Sequence, residues 1–144
     1  MRTLFTIGYE AATLPEVIGR LKAAGVEVLI DVRAVAASRR AGFSKGVLRA
    51  SLEAEGIGYE HLRGLGTPKP GRDAARKGRI AEMEAIFAEH MATPEARDAL
   101  ALATVIARER PAALLCFEAE ASGCHRRIVA EAIRAATGFE VRDL

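Results

Sequence analysis

Tryptophan is absent from the 144 residues, and five Phe and two Tyr are the only aromatics besides His. So few rings cannot lay out a stacking platform for single-stranded nucleic acid. No apolar run approaches the roughly 18 residues of a membrane span. Near the N-terminus, Leu4 to Ile7 is too short for the apolar segment of a signal peptide. These absences predict a cytoplasmic protein with no membrane partner. Cysteine is scarce: Cys116 and Cys124, in a chain without an export signal, argue against a disulfide framework or a zinc site. The glycines form neither a phosphate-binding loop nor a dinucleotide fingerprint, and no Gly-x-Ser-x-Gly elbow occurs. No His, Cys, Asp and Glu cluster has metal-ligand spacing, so neither metal nor cofactor is expected. Repeats and low-complexity runs are also missing.

What remains is a chain with half its residues apolar and a length suited to one domain spanning residues 1–144. Net charge is only +2, but its distribution is uneven. Between Arg33 and Arg79, eleven basic residues face four acidic ones, a local +7 against −5 for the rest. Most are Arg, whose planar fork suits bidentate phosphate or carboxylate binding. A phosphate-bearing small molecule or nucleic acid is the expected partner, and the sequence sets no oligomeric state.

Leu4 to Ile7 reads as a strand ending at Gly8, and Thr13-Leu14-Pro15-Glu16 as a capping box opening a helix that buries Leu14, Val17, Ile18 and Leu21. Gly25 stops it, and Val26 to Val32 is a second, β-branched strand. Ala34 to Ser44 lacks a period and reads as a loop. A helix with Val47, Leu48, Ser51 and Leu52 on one side, ended by Gly56, and a strand within Ile57 to Leu62 follow. Gly64 to Gly78, with four glycines and two prolines, reads as a long connection and a mobile lid. Helices are predicted from Ile80 to Met91 and from Thr93-Pro94 toward Arg108, then an apolar strand Ala113 to Phe117 of the kind buried on both faces. Ser122 or Gly123 can cap a last helix stopped by Gly138, and Phe139 to Val141 can add an edge strand. The expected fold is a single three-layer α/β domain with an open, mostly parallel sheet flanked by helices.

In such sheets ligands bind at the carboxyl ends of the strands. There the sequence places Gly8-Tyr9-Glu10, then Asp31-Val32-Arg33 with Ser38, Arg39 and Arg40 beyond, then Glu118 and Cys124-His125-Arg126. The last segment opens a helix, where free N–H groups and the dipole favour an anion and a reactive thiol. Two mechanisms stay open. Cys124 could attack a phosphoryl or sulfur centre while Arg126 holds the oxyanion, although cysteine phosphatases separate Cys and Arg by five residues. Alternatively, Glu118 could act as acid, base or nucleophile while Arg126 orients substrate. The plainer alternative for Cys124 and His125 is an ordinary helix cap with neighbouring polar contacts. Asp31 and Arg33 share a strand face and either touch a ligand together or brace the following loop as a buried pair. His61 and His90 read as structural, and Cys116 as a small core residue.

The segments Thr6-Ile7-Gly8-Tyr9, Asp31-Val32-Arg33 through Ser38-Arg39, Gly64-Leu65-Gly66, and Leu115-Cys116-Phe117-Glu118 through Cys124-His125-Arg126 together resemble domain of unknown function 488 (DUF488). The resemblance spans almost the whole chain and implies that Gly8, Asp31, Arg33, Ser38, Arg39, Gly66, Glu118, Cys124, His125 and Arg126 sit at motif positions. Glu10 stands where the family commonly has a small hydroxyl residue, and Ala36 where proline is common. The Asp-Val-Arg strand is also similar to rhodanese-like domains, whose catalytic cysteine loop has no counterpart here.

Two functions follow as expectations. The first is an enzyme on a phosphate-bearing substrate such as a nucleotide or nucleic-acid end. Asp31, Glu118, Cys124 and His125 would carry its chemistry, and Gly8, Tyr9, Arg33, Ser38, Arg39, Lys69 and Arg126 would bind the substrate. The second is a non-catalytic nucleotide or nucleic-acid binding module using the same arginines.

Overall fold

The computed structural model describes residues 2–118 and 124–144. In chain order the elements are β1 (Thr3–Gly8), α1 (Leu14–Ala23), β2 (Val28–Asp31), α2 (Lys45–Glu53), β3 (Gly58–His61), α3 (Lys69–Arg76), α4 (Ile80–Met91), α5 (Pro94–Glu109), β4 (Ala112–Cys116), α6 (His125–Thr137) and β5 (Glu140–Asp143). The strands form one sheet in the order β3-β2-β4-β1-β5, and every pairing is parallel. Among the described residues no helix is long and apolar enough to cross a membrane.

Side-chain alternation along the strands builds two cores, one on each face of the sheet. Leu4, Val28, Ile30, Ala112, Leu114 and Cys116 pack with α3, α4, α5 and α6. Phe5, Ile7, Leu29, Ala113 and Leu115 pack with α1 and α2. The chain is therefore a three-layer α/β domain, and its central strand β4 is buried along its whole length.

Local signals explain most boundaries. Thr13 and Glu16 exchange the reciprocal bonds of a capping box at the start of α1. Gly25 and Gly138 take the left-handed conformation just past α1 and α6, where a side chain would be strained.

Three expectations are corrected. Gly64 to Gly78 is not an open connection: a single 3₁₀ turn, Arg63–Leu65, leads into α3. Pro70 suits the first turn of that helix, and Lys69 and Arg76 both pair with Asp73. Buried Gly71 and Ala74 let α3 lie flat beneath its neighbours, α4 among them. On α2 the core face is Leu48 and Leu52, and Val47 points to solvent. Finally, Cys124 is the N-cap of α6; Ser122 and Gly123 lie outside the described residues.

Candidate functional site

The chain leaves β1 toward β2 and β3 and leaves β4 toward β5 on the opposite side, so the adjacent strands β1 and β4 form a topological switch point. A crevice opens where connections diverge in this way. It is present here as a cavity of about 610 Å³. Tyr9 and Glu10 line it from the exit of β1, Arg33 from β2, Cys116, Phe117 and Glu118 from β4, and Cys124 and His125 from the start of α6. Thr67, Arg72, Arg76 and Met83 close the far side. A second cavity of about 790 Å³ shares Ala34, Val35, Ala37, Thr67 and Arg72 with the first and adds Lys45, Arg63, His61 and His90.

Asp31 and Arg33 are the buried brace foreseen as one of two readings. Arg33 Nε donates to both Asp31 carboxylate oxygens (2.9 and 3.1 Å), and Nη2 donates to Oδ2 at 2.7 Å. Arg33 Nη1 donates to the Phe43 carbonyl at 2.7 Å and the Tyr9 hydroxyl at 3.0 Å, and the Tyr59 hydroxyl donates to Asp31 at 2.5 Å. Burial opposes the Arg33 charge, but the Asp31 bonds and carboxylate outweigh it and hold the guanidinium firmly protonated. The Tyr59 hydroxyl is pushed above its ordinary range by burial and by its bond to Asp31. Asp31 is fully buried and lies behind the cavity wall, whereas one edge of Arg33 reaches the wall.

Two imidazoles secure the exit of β2. His125 Nε2 donates to the Val32 carbonyl at 2.7 Å and His61 Nε2 to the Arg33 carbonyl at 2.8 Å. Burial, against the pull of the Val32 bond, lowers the His125 pKa to about 4, so its ring is neutral. With its proton on Nε2, His125 turns a lone pair on Nδ1 toward Cys124 Sγ, 3.6 Å away. His90 is likewise structural, donating to the Gly64 carbonyl at 2.8 Å.

Arg126 is the largest fully buried side chain. Its Nη1 donates to Cys116 Sγ at 3.1 Å and to the Glu118 carbonyl. Gly8 makes room for this arrangement, because a Cβ there would run into the Glu118 carbonyl and the Arg126 guanidinium. Arg126 and Gly8 therefore shape the cavity from behind. Burial pushes the Glu118 carboxyl up, with a further push from Glu10; its own backbone and Arg126 pull it down.

Cys116 and Cys124 are paired sulfur to sulfur, with Cα atoms 7.6 Å apart. This corrects the expectation of unpaired cysteines. A missing export signal does not register that the start of α6 lies beside the end of β4, which brings the two sulfurs together. Cys116, Glu118 and Cys124 also bring their ligand atoms within 4.8 Å of one another, a grouping that sequence spacing missed. The Arg126 guanidinium on Cys116 Sγ supplies positive charge where a metal ion would, so the setting suits thiolates better than a cation.

Other predicted residues stand apart. Ser38 folds the loop: its backbone N–H donates to Ser44 Oγ, and its hydroxyl accepts from the Arg40 N–H. Arg39 is exposed, and Lys69 is exposed and paired with Asp73. Arg72 and Arg76 were not among the predicted site residues. Their i, i+4 spacing points both at the cavity, but that signal is visible only once α3 is recognised as a helix.

Fold and cavity define a three-layer α/β domain with a ligand-sized cleft at its switch point. The family model described as Domain of unknown function DUF488 matches residues 13–133, and the chain belongs to that family. No curated protein and no solved structure matches it.

Proposed function

We propose that this protein is an enzyme acting on a phosphate-bearing substrate, a nucleotide or nucleic-acid end, bound in the cavity at the exits of β1, β2 and β4. One observation carries the reading: a carboxyl raised by burial, Glu118, lines the same cavity as the guanidinium groups of Arg33, Arg72 and Arg76. The arginines meet phosphate oxygens through charge-assisted bonds. Glu118 supplies the proton that a departing oxygen requires, its raised pKa keeping the acid form available nearer neutrality. Tyr9, packed against Phe43 and Phe117, lines the cavity beside Arg33. Asp31 acts through Arg33, fixing its fork, and Arg126 and Gly8 fix the Glu118 backbone. Arg39 and Lys69 contribute charge at longer range. The reading calls for no cofactor and places the protein in the cytoplasm.

The test pairs binding with turnover across nucleoside phosphates and oligonucleotides phosphorylated at either end. Arg72→Ala with Arg76→Ala should weaken binding about tenfold or more. Glu118→Gln should preserve binding and remove turnover, with a loss on the order of 100-fold. Binding without turnover by the unaltered protein would replace this reading with the second one, a non-catalytic module. The adjoining cavity with Lys45 and Arg63 favours that module, because it extends the basic lining beyond the reach of one phosphate.

A further inference from the structure

We infer that Cys116 and Cys124 form a working dithiol–disulfide pair at the cavity floor. Cys124 attacks small carboxylate-bearing disulfides that enter the cavity, and Cys116 resolves the product. The inference shares its cavity, arginines and Glu118 with the phosphate reading, but its test counts thiols and so succeeds or fails apart from turnover on phosphates. Both cysteines line the cavity and expose only 1–2% of their surface, so among the described residues the cavity is the one place where a reagent meets them.

The two cysteines have different surroundings. Cys124 caps α6: its sulfur accepts from the Arg126 backbone N–H at 3.5 Å and faces the lone pair of His125 Nδ1 at 3.6 Å. It thus has a hydrogen-bond donor to stabilise a thiolate and, in the neutral His125 ring, an acceptor that orients the reduced thiol. Cys116 Sγ faces the Arg126 guanidinium at 3.1 Å and lies 3.4 Å from a Glu118 carboxylate oxygen, the nearest acceptor for its proton once the bridge is reduced. A cation on Cys116 makes it the better leaving thiolate when the bridge is reduced. The arginines lining the cavity suit a reagent with carboxylates, of which oxidised glutathione is the probe.

The steps balance. Cys124 releases its proton to water as its sulfur attacks one sulfur of the reagent; the reagent's S–S bond breaks, and the first thiol leaves with a proton returned by water. The Cys116 proton passes to Glu118 as its sulfur attacks Cys124 Sγ; the mixed disulfide breaks, and the second thiol leaves with that proton. Two protein thiols lose two electrons, and one small disulfide becomes two thiols.

The experiment equilibrates the full-length protein in reduced and oxidised glutathione mixtures, quenches with acid, alkylates and weighs the products. Both thiols should be alkylated under reducing conditions and neither under oxidising ones, with no glutathione retained. Cys116→Ser should accumulate one glutathione on Cys124, and Cys124→Ser should be modified at Cys116 at least about tenfold more slowly. His125→Asn placed in the Cys116→Ser background should slow adduct formation by about tenfold or more and change its pH profile. The inference is overturned if the unaltered protein keeps two alkylatable thiols in oxidised glutathione. Preferential adduct formation on Cys116 would also overturn it, as would stoichiometric zinc that protects both thiols, since that shows a metal site instead. The alkylation count needs no substitution and so decides the matter even where a variant fails to fold.

Discussion

Asp31 is a fully buried carboxylate whose oxygens accept from Arg33 and Tyr59. A buried pair adds little net stability over an apolar replacement, but removing one partner strands the other charge in a low dielectric. Asp31→Asn should therefore lower the unfolding free energy by about 3 kcal/mol in urea titrations. Adding Arg33→Met should recover part of that loss. Equal losses in the single and double variants would show that the stranded charge is not the cause. Tyr59 contributes a single bond to this network, so Tyr59→Phe should cost only about 1 kcal/mol.

The same chemical change has opposite outcomes on two helices. Gly19 lies within α1, and a Cβ added there would meet nothing within 4 Å, so Gly19→Ala should stabilise by about 0.5 to 1 kcal/mol through helix propensity. Gly71 lies in α3, where a Cβ would run into the Thr67 methyl and sit 3.3 Å from Ile86. Gly71→Ala should lose about 1 to 2 kcal/mol despite the better propensity. Thermal denaturation of the two variants side by side checks both signs; a stabilised Gly71→Ala would mean that α3 is not seated against its neighbours as described. The helix escaped the sequence reading for a related reason. Its glycine and proline content signals a loop, whereas its stability comes from Asp73 bridging Lys69 and Arg76 and from packing on α4.

Across the whole molecule, two partly buried groups of the cavity wall set opposing pH dependences. His125 is held near 4 against an ordinary 6.5, so between those values the unfolded chain binds a proton that the folded chain refuses. Its contribution is fully present above about 6.5 and drains away as pH falls toward 4, on the order of 2 to 3 kcal/mol. Glu118 is raised, so its contribution is complete below its ordinary 4.5 and is lost as pH rises above that. Urea midpoints should therefore fall between pH 7 and 4 less steeply in His125→Asn than in the unaltered protein, and Glu118→Gln should gain stability at pH 7. Parallel curves for His125→Asn and the unaltered protein would show that the imidazole is not held neutral.

The order of strands and helices apart from α3, the capping box at Thr13 and Glu16, and the stops at Gly25 and Gly138 were legible in the sequence, because each rests on contacts within a few residues. So was the concentration of chemistry at the strand exits. The tertiary structure alone decided that β4 inserts between β2 and β1, and thereby which of those residues share a cavity. It turned Asp31 and Arg126 inward while leaving Arg33, Glu118 and His125 at the wall, and it joined Cys116 to Cys124. Periodicity along a chain specifies which face a side chain takes, but which distant strand lies alongside depends on how two cores close around one sheet.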